Sequence, residues 1–163
     1  MEASRDVGDQ RRADVRIIVI SALPRCPAGA ALYMEGIEHE LKLVGDNDDY
    51  SQLLTQLWLA GEEFLTLEHD VVPTPGTLQA LRDCPAAWCQ HLSFTGPGKL
   101  RQGLGSLRVS KEALSQARDL PSRWLGTHWR YLDGKVVPAM EQRFGPAHFH
   151  EPPFAHVRPS GWH

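Results

Sequence analysis

At 163 residues and a net charge of −3, the chain is about one domain long, since domains typically run roughly 100–200 residues. It carries no global basic field to recruit nucleic acid, and 42% hydrophobic with 23% charged residues suffices for a core without staples. Three cysteines, Cys26, Cys84 and Cys89, make an odd count with no secreted-domain pattern and no second pair to complete a zinc site. They read as reduced thiols of a cytoplasmic protein, packed as small hydrophobes.

In chain order, Met1 to Asp14 mixes charges of both signs without an apolar run, which predicts a frayed tail rather than a targeting segment. Val15 to Ala22 is a nearly continuous β-branched run, the signature of a strand buried on both faces. Pro24 and Pro27 break regularity, and Ala30 to Leu43 is compatible with a helix. Asp46-Asn47-Asp48-Asp49 reads as a polar turn.

The next unit is the clearest. Asp49 is the expected N-cap, with Gln52 as capping-box partner. Tyr50, Leu53, Leu54, Leu57 and Trp58 then fall on one helix face, and Gly61 supplies the left-handed stop. Phe64 to Leu67 follows as a short buried strand, carrying Glu68-His69-Asp70 at its carboxyl end.

Thr74 as N-cap and Pro75 as first residue open another helix, ending near Cys84-Pro85. Trp88 to Phe94 is an expected strand. Thr95 to Gly105 reads as a loop with four glycines, and it lacks the lysine and hydroxyl ending of a phosphate-binding P-loop. Leu107 to Val109 returns as a strand, and Ser110 caps a helix to about Arg118. A tryptophan-rich segment, Trp124 to Leu132, leads to Asp133-Gly134 and a last helix from about Lys135 to Arg143. The tail from Pro146 holds four of the eight histidines. No stretch approaches the ~18 apolar residues of a bilayer span, so a soluble protein is expected.

Strands alternating with helices predict a single α/β domain over residues 15–163, an α/β/α sandwich with a mainly parallel sheet. Ligands bind such sheets beyond the strands' carboxyl ends, where Glu68 and Asp70 fall. Two carboxylates flanked by Phe64-Leu65-Thr66-Leu67 and Val71-Val72-Pro73 are costly to bury unless they meet a cation or strong donors. Oxygen ligands of this kind suit Mg²⁺ or Mn²⁺, which share phosphate oxygens. The bland reading is a solvated loop after a buried strand.

The segment Phe64-Leu65-Thr66-Leu67-Glu68-His69-Asp70-Val71-Val72-Pro73-Thr74-Pro75-Gly76 resembles the D-x-D region of GT-A glycosyltransferases. It is most similar to small bacterial and phage members with an E-x-D motif and a proline-rich turn. The Tyr50–Trp58 helix, Gly103-Leu104-Gly105, Trp129-x-x-Leu132-Asp133 and the histidine-proline tail add to the resemblance, which spans roughly residues 15 to 158.

The resemblance implies a Rossmann-like fold and transfer of a sugar from a nucleotide-sugar, a UDP-sugar foremost, to a hydroxyl on a glycan, a protein or a hydroxymethylated DNA base. It implies Asp70 as ligand of Mn²⁺ or Mg²⁺, and Glu68 in the place of the aspartate that contacts the ribose or the metal through water. His156 matches the histidine that completes the metal shell, with His148 and His150 competing for that role. Asp133 matches the base of inverting members. Gly103, Leu104 and Gly105 would line the donor sugar, His69 would stand beside the donor, and Ser21, Ala22 and Arg25 would approach the nucleotide base.

Bland rivals stand beside these roles. Asp133-Gly134 is also a strong turn dipeptide, the histidines are compatible with structural roles, and the tryptophans with core positions, Trp129 alternatively stacking on a sugar or base. Arg101, Arg108, Lys111, Arg118, Arg123 and Arg130 form either a basic face for DNA or scattered solvated charges. Other function classes are a metal-dependent phosphoester hydrolase and a non-catalytic nucleotide-sugar-binding module.

Overall fold

The structure, a computed structural model, describes residues 15–96 and 99–157, with the backbone alone over 93–96, 99–101 and 152–156. The tail expected at Met1–Asp14 lies outside the described residues. The elements run β1 (Arg16–Ser21), α1 (Pro27–Met34), β2 (Glu40–Leu43), α2 (Asp49–Ala60), β3 (Phe64–Glu68), β4 (Val71–Val72), α3 (Pro75–Asp83), β5 (Trp88–Gly96), β6 (Lys99–Arg101), β7 (Ser106–Val109), α4 (Lys111–Gln116), a 3-10 turn (Leu120–Arg123), α5 (Trp129–Phe144) and β8 (His148–His156).

The strands order as β2-β1-β3-β7-β5-β8-β4, with β6 paired to β5. β1 is parallel to β2 and β3, and β5 is parallel to β8, while β7 runs antiparallel between β3 and β5. The six central strands are therefore mainly parallel, β7 alone among them being reversed. Side chains alternate across the pleat. Ile18, Ile20 and Phe64 join α2, α4 and α5 in one core through Tyr50, Leu54, Trp58, Leu114, Val136 and Met140. Ile17, Val19, Leu65 and Leu67 face the other way onto α1 and α3, through Ala28, Leu32, Leu78 and Leu81. Two apolar layers around one sheet make the expected α/β/α sandwich. Trp58, Trp88 and Trp124 are core, with the Trp58 indole donating to Ala117 O at 2.8 Å and meeting Trp124 edge-on at 5.3 Å. Among the described residues no helix is long and apolar enough to cross a membrane.

Leu65 is fully buried, whereas Leu43 on the edge strand is 60% exposed. Leu65→Ala should cost about 2–5 kcal/mol through lost transfer energy and a cavity, and Leu43→Ala no more than about 0.5 kcal/mol. Urea unfolding of the two variants measures the difference.

Several expectations change. The helix expected over Ala30–Leu43 is two elements: Pro27 starts it earlier, Gly36 at φ 67° follows its end, and Glu40-Leu41-Lys42-Leu43 alternates as an edge strand. Arg16 and Lys42 pair with Glu40 at 2.8 and 3.2 Å along that edge, the usual blunting of an open strand by charge. The cap of α2 is Asp48, not Asp49: the Asp48 carboxylate accepts from Gln52 Nε2 at 2.8 Å, while that of Asp49 closes the preceding turn by accepting from Gly45 and Asp46 N–H at 2.8 and 2.7 Å. Those two bonds hold the Asp49 carboxyl below its usual range. Gly61 does stop the helix, at φ 72°. The glycine loop contains β6, and α5 starts at Trp129 instead of near Lys135. Asp133-Gly134 is thus helical, because Leu132, Val136, Ala139 and Met140 bury one face and that packing overrides the turn preference of the dipeptide. The tail from His148 is a strand, parallel to β5.

Candidate functional site

Parallel strands that end together leave a crevice at their carboxyl ends. Here Ile20 pairs with Glu68, so β1 delivers Ser21 and Ala22 beside the Glu68-His69-Asp70 turn that follows β3. A cavity of about 220 Å³ opens there, lined by Ser21, Ala22, Tyr50, Glu68, His69 and Trp129 among others. Two larger grooves, about 360 and 810 Å³, both include Val15 and Arg16 at the start of β1. They lie at the amino ends of the strands, and neither is lined by Glu68, Asp70 or Asp133, so size does not mark the site.

The cavity is built by local bonds. Ser21 is buried, its Oγ accepting from Leu23 N–H at 3.0 Å and its carbonyl from Val44 N–H at 2.9 Å. The Glu68 N–H donates to Gly105 O at 2.9 Å, and Gln90 Nε2 to Gly103 O at 2.7 Å. These two bonds hold the Gly103–Gly105 segment between the end of β3 and β5. Leu104 sends its side chain into the core and offers the cavity only its carbonyl, 3.5 Å from the Tyr50 hydroxyl.

Asp133 reaches the same segment from α5. A Cβ on Gly103 would stand 2.8 Å from Asp133 Oδ2, so the carboxylate occupies the room that a side chain would need. This is one place where the absence of a side chain decides geometry. Tyr50 links the three acids. Its phenol is held well above its usual range, first by burial and then by the charges of Glu68, Asp133 and Asp70, with a hydrogen bond to Glu68. Three carboxylates therefore act on one buried hydroxyl.

Asp70 is tied to the end of β8: Val157 N–H donates to its carbonyl at 2.8 Å, and Val71 pairs with His156. The His156 backbone thus runs next to the acidic turn, while its side chain lies outside the described residues. His148 and His150 sit near the start of the same strand, six to eight residues upstream, as much as roughly 20–25 Å at ~3.3 Å per residue. They stand with Cys84 instead. Arg25 is exposed in the turn between β1 and α1, and His69 lines the cavity while its carbonyl accepts from Ala28 N–H at 3.0 Å.

Trp129 is 52% exposed, its backbone N–H donating to Asn47 O at 2.8 Å and its ring flanked by His128 and the Arg130 guanidinium. A half-exposed indole lining a cavity offers a stacking surface, here shared with the His128 ring and the Arg130 guanidinium. Tyr50 is expected from the sequence only as a core residue; its signal is a phenol opening the apolar face of α2, next to leucines. Of the six cations that form either a basic face or scattered charges, Arg108 is withdrawn from the surface. Arg108 is buried, pairing with Glu63 and donating to Ala86 O at 2.7 Å. Arg118 and Arg123 bond to Leu59 O and Gln142, and the Arg101 side chain lies outside the described residues.

No protein-family model matches the chain, and no curated protein matches it in sequence. Among solved structures it is similar to a glycosyltransferase involved in the glycosylation of the major capsid of PBCV-1, at a TM-score of 0.52 and 15% identity, over 87% of this chain and 93% of that one. The chain has the fold of that glycosyltransferase across nearly its whole length.

Proposed function

We propose that the chain is a metal-dependent glycosyltransferase that moves a sugar from a nucleotide-sugar, foremost a UDP-sugar, to an acceptor hydroxyl. One observation carries this reading: Glu68 and Tyr50 line a cavity at the carboxyl ends of the strands, and the charges of Glu68, Asp133 and Asp70 all act on the buried Tyr50 hydroxyl, in a chain whose fold matches a glycosyltransferase.

The donor set fits a hard divalent ion. Carboxylate oxygens are the ligands that Mn²⁺ and Mg²⁺ prefer, and neighbouring carboxylates repel one another unless a cation lies between them. Asp70 would hold the ion with His156, and Glu68 would contact it through water or the donor ribose. A divalent ion bound there supplies Lewis-acid stabilisation of the negative charge on the departing diphosphate.

The chain's own residues account for the rest. Ser21 and Ala22 border the space for the nucleotide base, and the Trp129 indole offers it a stacking face. Gly103 and Gly105 let the backbone approach the sugar closely. Asp133 accepts the proton of the acceptor hydroxyl as its oxygen bonds to the anomeric carbon and the bond from that carbon to the diphosphate breaks. Single displacement of this kind inverts the anomeric configuration. The acceptor is a hydroxyl of a glycan, a protein or a hydroxymethylated base; the buried Glu63–Arg108 pair takes one cation from any nucleic-acid face and weighs against the last.

The test is a thermal-shift panel of UDP-, GDP- and dTDP-sugars with and without Mn²⁺. A donor at 100 times its Kd stabilises by about 2.7 kcal/mol, which in a chain of this size raises Tm by roughly 5–10 °C. A shift with one donor class, present only with Mn²⁺, is expected. No shift with any donor overturns the reading.

A further inference from the structure

The side chains that the acidic site does not use include a second cluster on the other face of the sheet. β5 and β8 are parallel, with Cys89 beside His148 and His91 beside His150. Alternation along each strand therefore turns all four toward α3, whose C-cap is Cys84. Cys84, Cys89 and Leu81 belong to the α1–α3 core, whereas Asp133 is carried by α5 on the opposite layer.

Ligand atoms of Cys84, His148 and His150 all lie within 4.8 Å of one another. The His148 and His150 rings are 4.7 Å apart, and His91 is 5.5 Å from His150. His150 Nε2 is buried and has no hydrogen-bond partner among the described residues, although a buried ring nitrogen ordinarily has one. Tetrahedral zinc, with sulfur at ~2.3 Å and nitrogen at ~2.0–2.1 Å, spaces its ligands about 3.3–3.6 Å apart. The cluster is within about 1.2–1.5 Å of that spacing, a gap of the size that side-chain rotation closes.

We propose that Cys84, His148 and His150, with Cys89 or His91 as fourth ligand, form a zinc site separate from the acidic one. Thiolate and imidazole are the donors that zinc selects over Mg²⁺ or Mn²⁺, so the two sites sort the two kinds of cation by chemistry. A shell closed by four protein side chains leaves no position for substrate, which makes the role structural. The ion clamps the end of α3 to β5 and to the start of β8, the strand whose far end backs onto Asp70.

Cobalt substitution tests this on the full chain after removal of bound metal by a chelator. One equivalent of Co²⁺ should give tetrahedral visible bands and a thiolate-to-cobalt charge-transfer band in the near ultraviolet, and Zn²⁺ should displace it. His148 is exposed, so His148→Gln should keep the fold, checked by circular dichroism, while weakening Co²⁺ binding by at least about tenfold. Cys84→Ser should abolish the charge-transfer band with His91 as fourth ligand and at least halve it with Cys89, and Asp70→Asn should leave the spectrum unchanged. Absence of Co²⁺ binding, a spectrum without the thiolate band, or a His148→Gln variant that binds as tightly as the parent overturns the site. These readouts are independent of sugar transfer, so the site stands or falls apart from the proposed activity.

Discussion

Asp133→Asn should lower the rate of sugar transfer by about 10²–10⁴-fold, the usual worth of a positioned general base, while metal-dependent donor binding persists. Asparagine keeps the shape of the side chain and removes its capacity to take a proton. The site geometry makes that separation sharp. Asp133 projects from a helix fixed by Leu132, Val136 and Met140 in the core, so the substitution leaves the scaffold in place. Its carboxylate fills the space above Gly103, so Gly103→Ala provides a steric counterpart: the new methyl stands 2.8 Å from Oδ2 and must displace the carboxylate. Asp133→Asn should lose kcat with KM for the donor nearly unchanged, because it acts on the transition state rather than on donor affinity, whereas Gly103→Ala, where the backbone also meets the sugar, should lower kcat and raise donor KM together. Steady-state kinetics with a competent acceptor separates the two parameters. Parent-like kcat in Asp133→Asn would remove Asp133 from the chemistry.

Asp70→Asn should act earlier, on binding. Its backbone is pinned from both sides, by Val157 to its carbonyl and by pairing of the adjacent Val71 with His156, so the turn should survive the substitution. What goes is one negative charge from a group of three acids around Tyr50. Mn²⁺ affinity depends on deprotonated oxygen ligands; an amide oxygen is a poorer ligand without the charge. Donor binding and transfer should therefore fall together, unlike in Asp133→Asn. Glu68→Gln should have a smaller effect on the ion, since Glu68 is assigned a contact through water or ribose.

The parts of the fold legible in sequence are those where local pattern and burial agree. The β-branched run Arg16–Ser21, the apolar face and terminal glycine of α2, and the Thr74-Pro75 start of α3 each announce themselves, and each forms as expected. The Thr74–Thr77 capping box adds a reciprocal pair of bonds at that start. What escaped are elements defined by tertiary partners. β2 is four residues on a sheet edge, half exposed, with a pattern short enough to pass for helix. The second turn of α5 contains Asp-Gly and resembles a turn until its buried face is known. β8 is rich in histidine and proline and looks like a tail; its register against β5 shifts between His91 and Ser93, the irregularity that accommodates Pro152 and Pro153.

The acidic turn was legible for a chemical reason: charge embedded in core sequence needs a partner. Asp133 and the glycines were legible through resemblance, and the structure places them against each other. The thiol-imidazole cluster was not legible. Its ligands come from the end of one helix and from two strands far apart in sequence, and Cys84 and Cys89 by spacing alone suggest only packing. Parallel pairing of β5 with β8 is what assembles it.

The most direct test of the central claim is Mn²⁺ affinity, measured by the loss of the free-ion paramagnetic resonance signal in the presence of UDP, for the parent and for Asp70→Asn. The parent should hold the ion, more tightly with UDP than without, and Asp70→Asn should lose that UDP-dependent binding. Equal Mn²⁺ affinity in the two proteins would contradict the claim.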